Sequence, residues 1–263
     1  MKTTLPIVNG VALLITVFVN YFANTGIFDG NTMSTISAKY DNFFTPAGYA
    51  FSIWGVIYLG LLGFVIYTGR SSFKNAQAHP ILLKIGSLFV LSCAANSFWV
   101  VAWLNDYTGF SVLIMVALLI VLLRIIVVTR MELDPHPWKH YLFIFWPFAI
   151  YAGWVSVALI ANMAAWLTKI GWDGWGISPL NWTVIMIAVA ALINIFVIVT
   201  RNLREYALVG IWALIAISVA NNADDGAVTI VHACYIAAAV LLVFIIWNAL
   251  RNRGLYVKRR PRD

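Results

Sequence analysis

Charge is scarce in this chain. Only 10% of its residues are Asp, Glu, Lys or Arg, against 62% hydrophobic. A soluble domain of 263 residues cannot hide that much apolar side chain, because its surface still has to be wetted. Cysteine is scarce as well: Cys93 and Cys234 both sit inside apolar runs, so they read as small core residues with no disulfide. No phosphate-cradling Gly loop, nucleophile elbow or zinc-ligand spacing occurs, so the familiar soluble enzyme chemistries have no starting point. The net charge of +7 is no sign of nucleic-acid binding, since the basic residues fall in short loops and the tail. Positive charge in those places orients membrane proteins. What remains is an integral membrane protein whose first partner is lipid.

What the chain does have is hydrocarbon in span-length pieces. Its pattern predicts an all-α fold, a polytopic transmembrane helix bundle of about eight spans. They cover residues 5–23, 49–68, 81–104, 108–129, 140–167, 181–200, 205–221 and 227–249. The first run is long enough to span and no small-x-small cleavage site follows it, so it reads as a retained helix rather than a signal peptide. Charge supports the count. Lys2, Arg70, Lys74, Arg130, Lys139, Arg201, Arg204 and the basic tail fall on one side, and Lys39, Asp106, Lys169, Asp173, Asp224 and Asp225 on the other. That alternation holds with eight helices and both termini in the cytoplasm, as in a bacterial inner (cytoplasmic) membrane protein.

Residues 24–48 are too many for a simple helix–helix turn and are expected to fold over the outer face. Residues 169–180, with Trp172, Trp175 and Pro179, read as an interfacial aromatic turn. The expected organisation is a five-helix core over 1–168, this outer loop over 169–180, three further helices over 181–250 and a basic cytoplasmic tail over 251–263.

Polar residues inside spans are the usual pointers to function, because an unsatisfied group is costly in lipid. Asn96, Asn162, Asn194 and His232 are the notable ones. The mouth of the second helix, residues 45–58, is dense in rigid and aromatic groups: Pro46, Tyr49, Phe51, Trp54 and Tyr58. Helix direction places these at the same depth as Asn96 and Trp99 on the third span and near Trp154 and Asn162 on the fifth. Trp154, Ala158 and Asn162 are spaced by four and share one face, with the small residue opening a groove. Two readings fit: an apolar ligand pocket with a few convergent polar groups, or an aromatic belt with amides that bond across helices. Catalytic constellations are poor. There is no intramembrane acid pair, Asp224 and Asp225 lie adjacent in a loop, and His136 and His140 flank Pro137 at the inner interface without other metal ligands nearby. No catalytic and no metal-binding residue is assigned.

At these residues the chain resembles the TspO/MBR family, the tryptophan-rich sensory and translocator proteins. The likeness rests on three motifs in order: Pro46, Gly48, Tyr49 and Phe51 leading to Trp54 and Tyr58; Asn96 with Trp99; and Trp154, Ala158 and Asn162. It covers about residues 1–168, and three extra helices follow that small family members lack. The resemblance implies a sensory, receptor or transport role through binding a flat apolar ligand, a porphyrin, haem or related tetrapyrrole, in a Trp-lined pocket beneath the first loop. Ligand contacts would come from Pro46, Tyr49, Phe51, Trp54, Tyr58, Asn96, Trp99, Trp154, Ala158 and Asn162. The alternatives are a pigment-degrading membrane enzyme and a structural or assembly subunit with no ligand; a homo-oligomer is a further candidate partner state.

Overall fold

The computed structural model describes residues 4–74 and 79–257, with side chains up to residue 252. Lys2 and the end of the basic tail, residues 258–263, lie outside the described residues. The described chain is helical, with one isolated bridge between Phe28 and Asn31. Among the described residues, seven helical segments are long and apolar enough to cross a membrane, and a shorter apolar helix, Leu88–Leu104, makes the eighth rod of the bundle.

The first helix, α1 (Thr4–Phe22), leads into the long connection, which is not structureless. It contains a short helix, α2 (Met33–Lys39), started by a capping box in which Thr32 and Thr35 satisfy each other's backbone N–H groups. A 3₁₀ turn (Gly48–Ser52) then opens α3 (Ile53–Lys74).

The third span, expected as one helix over 81–104, is two pieces. A short α4 (Pro80–Ile85) stops at Gly86, whose φ of 55° is open to glycine at little cost, and α5 (Leu88–Leu104) starts afresh. Hydropathy alone runs across this break because both pieces are apolar. The fourth rod, α6 (Thr108–Thr129), matches its predicted span.

The fifth rod starts with α7 (Trp138–His140), passes through one π turn at Tyr141–Phe145 and continues as α8 (Trp146–Lys169). Pro147 explains the wide turn. It has no N–H to give, and its ring crowds the carbonyl four residues back, so the ladder loosens just before it. Three rods complete the bundle: α9 (Pro179–Arg201), α10 (Arg204–Asn221) and α11 (Val228–Val257).

The central helix is α8. It packs against α3, α6 and α10, and the run Tyr151–Val157 is buried all round. Two glycines set close approaches, Gly153 between α8 and α10 and Gly210 between α10 and α9. A Cβ on Gly153 would meet the Tyr206 carbonyl oxygen at 2.7 Å, and one on Gly210 would meet Asn194 Oδ1 at 2.7 Å. At Gly153 the small residue lets the two backbones touch, and at Gly210 it makes room for the Asn194 amide; close packing of this kind is how helices gain packing energy in lipid. Next to the first crossing, the Ser156 and Tyr206 hydroxyls hydrogen-bond at 2.5 Å. Large apolar side chains such as Leu14, Leu59, Phe98, Leu192 and Phe196 are exposed around the bundle, as expected of a lipid-facing rim.

Lys39, Asp106 and Lys169 meet at one end of the bundle, so the first, third and fifth connections share a face, as charge alternation requires. That face is called the loop end below, and the opposite one, which carries Arg130 and Lys139, the basic end.

Candidate functional site

Beneath the loop end lies a cavity walled by α3, α5 and α8 and roofed by residues of the first connection. Trp54, Trp99, Trp103 and Trp154 form its walls, and Ala158 and Ala161 leave the space. The indoles make one continuous array. Trp54 lies 5.8 Å from Trp99 and 6.3 Å from Trp154, ring centre to ring centre, and Trp99 stacks on Trp103 at 6.5 Å. The roof comes from Met33, Ser37, Phe44, Thr45 and Pro46, with Phe51 set edge-on against Trp154 at 6.1 Å. The volume is about 40 Å³, room for a few waters.

Seven of the ten sequence-predicted positions line this cavity: Pro46, Phe51, Trp54, Trp99, Trp154, Ala158 and Asn162. Tyr58 sits one layer deeper. It stacks under Trp54 at 5.7 Å and donates its hydroxyl to Asn96 Oδ1 at 3.3 Å. Asn96 is fully buried behind the wall and also accepts from Asn20 Nδ2 at 2.8 Å, which ties α1, α3 and α5 together. Tyr49 is half exposed and packs edge-on against Trp212 at 5.2 Å, away from the cavity.

The polar groups at the cavity divide sharply. Asn162 is spent on packing: its Oδ1 accepts from Trp99 Nε1 at 2.9 Å, and its Nδ2 donates to Ser111 Oγ at 2.9 Å. Those bonds join α5, α6 and α8. Trp54 and Trp154 are different. Both are more than nine-tenths buried, and neither Nε1–H has a hydrogen-bond partner. A buried indole usually finds an acceptor, and an orphaned donor costs about 1–3 kcal/mol.

The roof is fastened at two places. At one, Asp106 Oδ2 accepts from Lys39 Nζ at 2.6 Å and from Tyr40 OH at 2.8 Å, while Lys169 reaches Oδ1 at 3.1 Å. Partial burial pushes the Asp106 carboxyl up, but the hydrogen bonds from Lys39, Tyr40 and Lys169 outweigh it and hold the group below its ordinary value. At the other, Ala47 N donates to Ala216 O at 3.0 Å, and Asn221 Nδ2 to Phe43 O at 3.0 Å. Both of these partners belong to α10, which also supplies Ile217 to the cavity wall. Nothing in the α10 sequence singles out Ile217; it is one aliphatic among many. Trp103 and Met33 are likewise lining residues outside the predicted set. Trp103 carried a signal, since it lies four residues after Trp99 on the same face.

Elsewhere, the His136 and His140 rings stack face to face at 4.3 Å, with His79 at 5.8 Å from His140. No group of three or more His, Cys, Asp or Glu among the described residues is arranged to hold a metal ion. His232 is exposed on α11.

An all-α bundle of apolar rods around a tryptophan-walled cavity defines a class: integral membrane proteins with an enclosed aromatic chamber below a connecting loop. A family model described as TSPO-like protein matches residues 6–247, and the chain belongs to that family. The match runs on through α9, α10 and most of α11, past the five rods that carry the recognisable motifs. No curated protein and no solved structure matches the chain.

Proposed function

We propose that this TSPO-like membrane protein binds a flat apolar ligand of the porphyrin type in the cavity below its first loop, as a sensor or carrier. The observation that carries this reading is the pair of buried, unpartnered indole N–H groups of Trp54 and Trp154. An aromatic wall offers stacking to a macrocycle, and two free donors offer hydrogen bonds to its carboxylate or carbonyl edges. A cavity of about 40 Å³ is far smaller than a tetrapyrrole, so binding requires the roof to lift. Its fastenings are mostly hydrogen bonds and ion pairs at the loop end, which water can replace. In this reading the loop end faces outward, both termini are cytoplasmic, and α10 completes the chamber through Ile217.

Titration of the purified protein with protoporphyrin, followed by Trp fluorescence, tests the proposal. Saturable quenching is expected, weakened in Trp54→Phe and Trp154→Phe, which keep a ring and lose the donor. Quenching that does not saturate, or that both variants leave unchanged, overturns it.

A second reading, a structural subunit whose aromatics only pack, is favoured by one observation: Asn162 is wholly used in helix–helix bonds. It expects no saturable quenching and loss of stability in the same two variants.

A further inference from the structure

Glu205 is a carboxylic acid on a membrane-spanning helix. It occupies the first turn of α10, and its Oε2 is buried with no hydrogen-bond partner. Arg204 precedes it, and its positive charge acts on the carboxyl without hydrogen bonding Oε2. A second cavity, of about 300 Å³, lies between the start of α3, Ile150 of α8 and the face of α10 that carries Glu205. None of its lining residues lines the chamber below the loop. Apart from Glu205 and Ser52, its walls are apolar: Val56, Leu208, Val209 and Trp212 are among them. Val56 and Leu208 are 55% and 51% exposed, and in a spanning bundle that exposure is to lipid. The groove is therefore open to the bilayer from the side.

We propose that this groove binds a long-chain primary amine, with its ammonium on Glu205 and its alkyl chain lying along α10 toward Trp212. Three physical points carry the assignment. A carboxyl in hydrocarbon with one oxygen, Oε2, left without a hydrogen bond is costly and is the feature of the groove that most demands a partner. Lipid tails are as apolar as the groove walls, so the walls select shape but add little net preference for one chain over another. Selectivity therefore rests on Glu205, and an ammonium offers both the opposite charge and up to three donors. Finally, Glu205 and Trp212 are seven residues apart on one helix, about 10 Å, so a ligand that touches both is at least that long, which an extended alkyl chain satisfies. Trp212 is held at the far end by its Nε1–H, which donates to Ala50 O at 3.3 Å. The site is independent of the porphyrin reading.

The test uses the full chain in neutral phosphatidylcholine nanodiscs and a dodecylamine probe with a photoactivatable diazirine in its chain. Saturable labelling is expected on the peptides of α10 or α3, competed by dodecylamine and not by dodecanol or dodecanoate. Glu205→Gln is to weaken the apparent affinity about tenfold or more. Leu208→Trp, which fills the groove and keeps the carboxyl, is to reduce labelling as well. If Glu205→Gln loses its cooperative thermal transition, the result for Leu208→Trp decides. Labelling unchanged in the folded variants, or competed equally by dodecanol and dodecanoate, overturns the assignment.

Discussion

The two kinds of polar group at the aromatic chamber have opposite fates. The amides, Asn162 on its wall and Asn96 behind it, accept hydrogen bonds from other helices and hold the bundle together. The indoles of Trp54 and Trp154 give the chamber its walls and keep their donors unused. Both kinds are expensive to bury without partners. Asn162 recovers that cost inside the protein and Asn96 does so through its Oδ1, with its Nδ2 left unpartnered, whereas the indoles recover it only if something else supplies an acceptor. Under the proposed function, the contrast separates the residues that hold the chamber in shape from those whose donors remain free for a ligand.

Substitutions put the contrast at risk. The largest effect is expected for Asn162→Leu, which strips the acceptor from Trp99 and the partner from Ser111; it should destabilise the protein by about 2 kcal/mol in denaturant unfolding in detergent. A stable Asn162→Leu would place that amide with the recognition groups instead. Asn96→Leu should cost less, about 1 kcal/mol in the same measurement. It deprives Asn20 and Tyr58 of an acceptor but also removes the unpartnered Asn96 Nδ2.

Trp154→Phe should invert the pattern. Its unfolding free energy should fall by less than about 1 kcal/mol beyond what the smaller ring loses in packing, while protoporphyrin affinity falls about fivefold to tenfold by fluorescence titration. The smallest effect concerns the roof. Asp106→Asn should leave global stability nearly unchanged, since exposed ion pairs contribute little. It should speed limited proteolysis within residues 40–47 by a few fold. Acid should do the same to the parent protein. The Asp106 carboxyl sits below its ordinary value when folded, so its contribution is present above about pH 4 and is lost as pH falls through that lowered value. Proteolysis of the roof should therefore be flat between neutral pH and about pH 5 and accelerate below pH 4. Acceleration already at pH 6 would point to a different fastening.

Much of this was legible in the chain. Long apolar runs marked the rods, and the alternation of basic and acidic loops matched the meeting of Lys39, Asp106 and Lys169 at one end. The four-residue spacing of Trp154, Ala158 and Asn162 placed them on one helix face, and depth brought Trp54 and Trp99 to the same level. Three features escaped. The break at Gly86 lies between two apolar pieces, and hydropathy is blind to it. Glu205 stands at the edge of a predicted span beside Arg201 and Arg204 and nothing in the pattern singles it out; only the packing of α10 on α8 and on the 3₁₀ turn that opens α3 turns it toward a groove. Ile217 and the α10 contacts to the roof carry no local mark at all.

The amino-acid sequence by itself determined that this protein lives in a membrane, how many rods it has and which faces are aromatic. Those are properties of single residues and of their spacing along one helix, summed locally. Only the tertiary structure decided which amides are spent, which indoles remain unpartnered and that α10 closes the chamber. Those outcomes belong to pairs of groups on different helices, and a pair meets or misses by an ångström or two that no pattern along one helix encodes.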